Sequence, residues 1–416
     1  MDIHKNILII EAYTDANIGS GAIVENSIKL LTEELKVPKQ NIRVMAHFPE
    51  AFVRKYDIIA VKDIFNFPYN RNILKQISWL IYTCNWMLFS WIFYKKAIKC
   101  TKWIDFNWAD VVISVGAERI NDKYIKNELF SLFTYAIVKK FKKKIILFPS
   151  TYGPFLYHFT RYFAEKVFMK LDLIYARDSL SYETINSFKG INRSKIIKSS
   201  DIAIIQEWDN DQYKNKLFDN DLPIVGISAL KWTYVANKYQ TPYCNYNSYI
   251  SEMSELIDRI ILQYNANIIL YPTNYPINGC RENDVIVAKE IYNLCEKKER
   301  ILIIQDLPSA QEFKSMIACS EVNIVTRMHA CILSTSAYVP TMSINYLFKL
   351  KEYMVSIGLS NYTIDIEDFN STNAFSMFQN LWNSRANERI KLVKQIKSKN
   401  DCLKSSINKI SEYLVN

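Results

Sequence analysis

Histidine and glycine are scarce in this chain, and its cysteines are unpaired in sequence. With four histidines (His4, His47, His158 and His329) in 416 residues, few side chains can move a proton near neutral pH. The eight cysteines (Cys84, Cys100, Cys244, Cys280, Cys295, Cys319, Cys331 and Cys402) form no C-x-x-C pair and have no histidine at ligand spacing. That argues against a zinc site and a disulfide framework; no metal is implied, and a reducing cytoplasm is the simplest setting. The low glycine count, beside abundant Ile, Lys and Asn, reads as AT-rich coding and carries no function. A signal peptide is also missing, because the apolar run of MDIHKNILII is short and is followed at once by EAYTD; it reads as a first strand. A net charge of +10 comes with no nucleic-acid-binding motif, and the basic residues are dispersed in groups such as KKFKKK at 139–144. Acidic small molecules and anionic membrane surfaces are therefore better partners than nucleic acid.

What is present points to an α/β protein. A hydrophobic fraction of 49% argues against extensive disorder, and the length suits two domains. In the first half, NILIIEAY, NIRVMAH, YDIIAVK, ADVVISVG, KKIILFPS and LDLIYARD read as strands separated by helical stretches, the rhythm of a parallel sheet. The polar QEWDNDQYKNKLFDNDLP then breaks the pattern, and PIVGISAL, NIILYPT, RILIIQDL, VNIVT and PTMSIN restart it. The expected organisation is an N-terminal Rossmann-like domain over 1–205, a linker over 206–222, a second Rossmann-like domain over 223–360, and a helical segment over 361–416 crossing between them.

Two stretches stand out. Residues 77–94, ISWLIYTCNWMLFSWIFY, carry no charge and lie between Arg71 and Lys75 on one side and Lys95, Lys96 and Lys99 on the other. Within a helical region over 72–99 this pattern suits an interfacial helix, with Trp86 and Phe89 among its lipid-facing residues; a buried or dimer-forming helix is the alternative, and a span is the least favoured. The second stretch, TRMHACILSTSAYVPTMSINYLFK at 326–349, puts Arg327 and His329 where a strand gives way to a helix. In an open α/β sheet that junction lies at the carboxyl edge, where helix amino termini and an arginine make an anion site. The competing reading pairs Arg327 with a nearby carboxylate and makes His329 a core histidine.

Taken in order, several stretches resemble the polysaccharide pyruvyl transferase family, enzymes that build pyruvate ketals on sugars from phosphoenolpyruvate. DANIGSGAI is similar to the family's N-x-G-D-E-A loop, SVGAERI stands at its glycine triplet, and FPSTYGPF resembles its G-Q-S-x-G-P. YARDSLSYE matches R-D-x-x-S, SSDIAI resembles the D-P-A-F strand, and Arg327, His329, Val339, Pro340, Ile344, Tyr346 and Lys349 fall in register with S-x-R-x-H…G-V-P…I-S-Y-x-x-K. The resemblance implies a GT-B-like fold of two facing Rossmann-like domains, with phosphoenolpyruvate as co-substrate and no further cofactor. The acceptor it implies is a surface glycan or its lipid-linked precursor, met in the cytoplasm or at the inner face of the membrane. It also implies donor binding by Arg327, Arg177, Lys349 and Tyr346, and proton transfer by His329, with His158 second. Asn17, Ser20, Glu118 and Tyr152 are then acceptor-side residues. The departures are Ser20 for the loop's acidic residue, Gly116 alone of the glycine triplet, Ile202 for proline and Val325 for serine.

Two other readings remain open. A GT-B glycosyltransferase using a nucleotide sugar needs the same cleft and cationic donor site, although the E-x-x-x-x-x-x-x-E spacing of retaining enzymes is missing. A catalytically inactive scaffold for glycan assembly would tolerate Ser20 and the reduced glycine turn.

Overall fold

The computed structural model describes residues 5–65, 72–116, 118–209, 211–214, 216–232, 245–276 and 283–415. Two parallel sheets organise it. The first holds β1 (Ile7–Ala12), β2 (Ile42–Ala46), β3 (Ile59–Lys62), β4 (Val111–Ser114), β5 (Lys144–Ser150), β6 (Leu173–Ala176) and β7 (Ile196–Lys198), in the order β3-β2-β1-β4-β5-β6-β7. The second holds β8 (Ile224–Ser228), β9 (Asn267–Leu270), β10 (Ile301–Ile303), β11 (Val322–Val325), β12 (Thr341–Asn345) and β13 (Thr363–Asp365), in the order β10-β9-β8-β11-β12-β13. The order reverses between β1 and β4, and again between β8 and β11. The crevice outside the carboxyl ends of strands at such a reversal is where open α/β sheets bind ligands.

Helices supply the crossovers. In the first half these are α1 (Ile18–Lys29), α2 (Pro49–Tyr56), α3 (Ile73–Ile92), α4 (Tyr94–Ala97), α5 (Ile104–Trp108), α6 (Ile125–Lys140), α7 (His158–Phe168) and α8 (Ser179–Asn186), followed by the short α9 (Asp211–Lys214). In the second they are α10 (Tyr246–Tyr264), α11 (Asp284–Leu294), α12 (Ala310–Ile317), α13 (Met328–Ser336) and α14 (Phe348–Ser356), and α15 (Ser371–Val415) ends the described chain. Every residue of β1, β4, β8, β9, β11 and β12 is buried. Helices on both faces of a parallel sheet demand this, and it is why strands such as β4 and β9 read as near-continuous apolar runs.

Two compact units result, one of residues up to Thr14, Ile23–Ile202 and Asp401 onward, the other of Asp15–Ala22 and Ala203–Asn400. The unit change at 202/203 lies close to the expected 205/206, but two segments are grouped differently. Residues 16–18 pair with 273–275: Ile18 N donates to Thr273 O and Tyr275 N to Ala16 O, both at 2.9 Å, which ties this loop to the second unit. The C-terminal segment is one helix shared by both units. Phe375, Phe378, Leu381 and Trp382 join the second core, while Tyr175 Oη donates to Ser406 O at 3.0 Å and Ser406 Oγ lies 2.9 Å from Ser199 Oγ in the first.

SSDIAI is not a strand. Ile196–Lys198 takes the sheet edge as β7, and Ile202–Ile205 forms a 3₁₀ turn instead. The carbonyls after this turn are held by Lys314, which is fully buried on α12 and donates from Nζ to Gln206 O at 2.7 Å and to Ile204 O at 3.4 Å. Its ammonium also lies 4.2 Å from the Trp208 ring centroid. Burial holds the Lys314 pKa well below the ordinary lysine value. Over the range between that lowered value and the ordinary one, the unfolded chain keeps a proton that the folded chain has lost. Folding stability due to this group therefore rises with pH across that range. Denaturant titrations of wild type and Lys314→Met should show the wild type gaining stability relative to the variant as pH rises towards 10.5; parallel pH profiles would refute it.

Candidate active site

At the carboxyl edge of the second sheet, Arg327 is the N-cap residue of α13, directly after β11 and Thr326. Its guanidinium grips Asp284 bidentately, Nε to Oδ2 at 3.0 Å and Nη2 to Oδ1 at 2.7 Å. Asp284 opens α11 and is 2% exposed. Its Oδ2 also accepts from Thr273 N (3.3 Å), Thr273 Oγ1 (3.0 Å) and Asn274 N (3.0 Å). The carboxylate thus fastens the loop after β9 to the start of α13. Asp284 takes two of the five guanidinium donors. Arg327 thus pairs with a carboxylate, as the second of the two sequence readings has it, and sits half-buried at a helix amino terminus.

His329 lies in the first turn of α13 and is half-buried. Gly19, in the first turn of α1, lies against it so closely that a Cβ added there would fall inside the imidazole. The DANIGSGAI loop and the RMH junction, 310 positions apart in sequence (329 − 19), are therefore one site in the second unit. Asn17 caps the turn, its Oδ1 accepting from Ser20 N at 2.9 Å, and Asn17 bridges to Asn274 beside the Asp284 loop. The amino termini of α1 and α13 are thus brought together with Arg327 and His329, and their N–H groups and partial positive charge favour an anion. Lys349 is buried in the first turn of α14, and Tyr346, half-buried, packs against the core of this unit.

The first unit has its own polar cluster, centred on a residue that the sequence reading missed. Glu11 sits at the end of β1 with φ of 67° and is buried. A left-handed backbone at a non-glycine residue costs roughly 1–2 kcal/mol. The carboxylate accepts from Ser114 Oγ, from Ser131 Oγ, and from Tyr135 Oη at 2.6 Å. Burial, then Glu11, pushes the Tyr135 pKa well above its ordinary value and keeps the phenol a donor. A side chain at Gly116 would collide with Glu11 Oε2 unless that carboxylate shifted. The only sequence signal for Glu11 was a charge inside an apolar run, ILIIEA.

Two expectations for this unit, for Arg177 and Tyr152, are corrected. Arg177 does not present its guanidinium to an anion: its side chain is 3% exposed, Nη1 donating to Asp201 Oδ2 at 2.7 Å and Nε to Thr151 Oγ1 at 2.8 Å. Its partner is Asp201 of SSDIAI, whereas Asp178 caps α8 through Ser181 N. Tyr152 is a core residue, 2% exposed and edge-on to Phe168 at 5.4 Å. His158, first in α7, is exposed and makes no hydrogen bond or ion pair among the described residues. Glu118 is half-buried, its carbonyl accepting from Asn121 Nδ2 at 2.6 Å. Of the other histidines, His47 is buried beside Tyr13 and Phe48 with its pKa lowered mainly by burial, and His4 lies outside the described residues.

The fold and site together define an α/β protein of the GT-B-like class. Similar solved structures include MnaA of S. aureus with UDP (TM-score 0.62, 13% identity, 99% of this chain and 97% of that one). UDP-GlcNAc 2-epimerase from Neisseria meningitidis bound to UDP-GlcNAc (0.60, 11%, 98% and 99%) and a glycosyltransferase from Rickettsia africae (0.52, 12%, 99% and 99%) are similar too. The family model described as polysaccharide pyruvyl transferase matches residues 17–347, and the chain belongs to that family. Amylovoran biosynthesis protein AmsJ of Erwinia amylovora is 22% identical over 270 residues, and the match spans 62% of this chain and 62% of that relative's length.

The geometry changes what truncating Arg327 should do. Arg327→Ala leaves the buried Asp284 carboxylate without its cation, an imbalance of about 3–5 kcal/mol for buried pairs. Chemical denaturation should show a loss of that order, largely restored in Arg327→Ala with Asp284→Asn; equal stability of wild type and the single variant would mean that the pair is not formed.

A second expectation concerns Asp122, whose Oδ2 accepts from Leu156 N and from Tyr157 N at 2.8 Å. Glu128 beside it is fully buried, and burial, then Asp122, pushes its pKa up to about 8. Its folded value exceeds the ordinary 4.5, so stability due to this group is complete below 4.5 and is lost as pH rises to about 8. Glu128→Gln should remove that slope and be the more stable protein at pH 8.5 (about half a unit above the raised value). A wild type with an unchanged profile relative to the variant would contradict a protonated Glu128.

Proposed function

We propose that this enzyme transfers the enolpyruvyl unit of phosphoenolpyruvate to a sugar of a bacterial surface glycan, or of its lipid-linked precursor, to form a pyruvate ketal. The observation that carries this is the joining of the α1 and α13 amino termini around Arg327 and His329, seen in the contact of Gly19 with the imidazole. Phosphoenolpyruvate carries a carboxylate and a phosphate, and such a ligand calls for fixed cations and N–H donors. Arg327 and the two helix termini bind the donor, with Lys349 and Tyr346 at the neighbouring α14 turn closing it.

Chemically, one sugar hydroxyl adds to the enol carbon, the methylene carbon takes a proton, phosphate leaves, and a second hydroxyl closes the ketal. Two hydroxyl protons are released; one ends on the new methyl group and one on phosphate. Proton transfer is assigned to His329, whose imidazole lies against Gly19, with His158 second. Asn17, Ser20 and Glu118 are the acceptor-side residues of this reading, the reaction needs no further cofactor, and the enzyme works in the cytoplasm.

A nucleotide sugar is the competing donor, since the solved relatives of this fold include proteins with UDP and UDP-GlcNAc bound. Incubation with phosphoenolpyruvate and candidate glycans should release phosphate and add one pyruvylidene unit to the glycan. His329→Asn should still be stabilised thermally by phosphoenolpyruvate while losing roughly two to four orders of magnitude in rate. Turnover of a nucleotide sugar without phosphoenolpyruvate consumption would overturn the assignment.

A further inference from the structure

We infer that α3 and the start of α7 form an apolar face that docks this protein on an anionic lipid bilayer. Along α3, Ile73, Ile77, Ile81, Leu88 and Ile92 recur at helical spacing and are 68, 49, 58, 58 and 56% exposed. The opposite side of the helix is firmly seated. Thr83 and Ser90 are buried, Ser90 Oγ accepts from Trp103 Nε1 at 3.0 Å, and Trp79 meets Phe130 edge-on at 5.6 Å. Trp86 and Phe89, expected at the lipid interface, turn inward and pack against the core of the first unit. The outward stripe is therefore held in place by structure on its other side, and it stays exposed among the described residues.

A second apolar strip lies on α7. Leu156, Phe159 and Phe163, at and just before α7, are 74, 48 and 50% exposed. The first unit places α6 between the two strips, since it packs against both α3 and α7. Both α6 and α7 start just after a strand of the first sheet, at its carboxyl edge. α3 runs alongside α6 in the same direction, with Lys126 over Trp79 near the start and Lys140 over Trp91 near the end. The exposed side chains at the starts of α3 and α7 thus flank the sheet edge that carries Glu11 and Gly116.

Charge selects the occupant. Between Asp63 and Asp105 the chain has no acidic residue, yet it has Arg71, Lys75, Lys95, Lys96, Lys99 and Lys102. A second copy meeting this face would bring lysine against lysine, whereas anionic headgroups would complement the basic rim around an inserted apolar stripe. Among the described residues, no helix is long and apolar enough to cross a membrane, so the face lies on the bilayer.

Sedimentation of the full chain tests this independently of its reaction. Protein should pellet with vesicles of phosphatidylglycerol in phosphatidylcholine, less as salt rises, and should stay in the supernatant with phosphatidylcholine alone. Ile81→Ser with Leu88→Ser should weaken binding at least about tenfold, because two exposed side chains no longer insert, while the melting temperature stays unchanged. Leu156→Ser with Phe163→Ser should give a smaller loss. No pelleting of wild type, unchanged pelleting of the α3 variant, or a wild-type dimer in analytical ultracentrifugation that the α3 variant dissociates would each overturn the assignment.

Discussion

Burying a carboxylate as deeply as Asp284 is costly unless opposite charge and hydrogen-bond donors surround it, and the binding edge of the second unit is organised around meeting that demand. Five donors converge on it, from Thr273, Asn274 and Arg327. They fix the loop after β9, the start of α11 and the start of α13 to a single point. Because residues 16–18 pair with that same loop, the Asp284 cluster also determines where Gly19 meets His329. The amino termini of α1 and α13 are therefore positioned by an ion pair that includes Arg327 itself.

The first unit solves a related problem twice. Arg177, also placed just after a strand, is neutralised by Asp201 and steadied by Thr151. Glu11 is held by the hydroxyls of Ser114, Ser131 and Tyr135 among the described residues. The consequence runs back to the sequence: with Glu11 filling the space under the turn after β4, residue 116 has room only for hydrogen in place of a side chain. The reduced glycine turn is thus coupled to a charged residue on a neighbouring strand.

Much of the fold was legible because buried parallel strands leave continuous apolar runs. All eleven of the strands read from sequence are present, whereas β7 and β13, three residues each, are too short to leave such a signal. SSDIAI, likened to the D-P-A-F strand, instead runs into a 3₁₀ turn, whose nearby carbonyls a buried lysine holds from a helix more than 100 positions away. The strand-to-helix junction that carries Arg327 and His329 was legible, β11 giving way to α13 there. Arg177 occupies the same kind of junction, and there the pattern misled, since position along a strand does not reveal a carboxylate arriving from elsewhere in the chain.

Sequence by itself determined the α/β class, most of the strands and the family, because periodicity, junction chemistry and an ordered set of motifs are properties of neighbouring residues. Tertiary structure decided which charged groups are spent in pairs and which side of α3 faces outward. Amphipathicity could not orient that helix, since apolar residues occur on both sides and only packing against Phe130 and Trp103 selects Trp86 and Phe89 for the interior. Long-range pairs such as Arg327 with Asp284, or Glu11 with Tyr135, are set by chain crossings between strands, and the energy of burying a charge depends on partners that no local stretch of sequence contains.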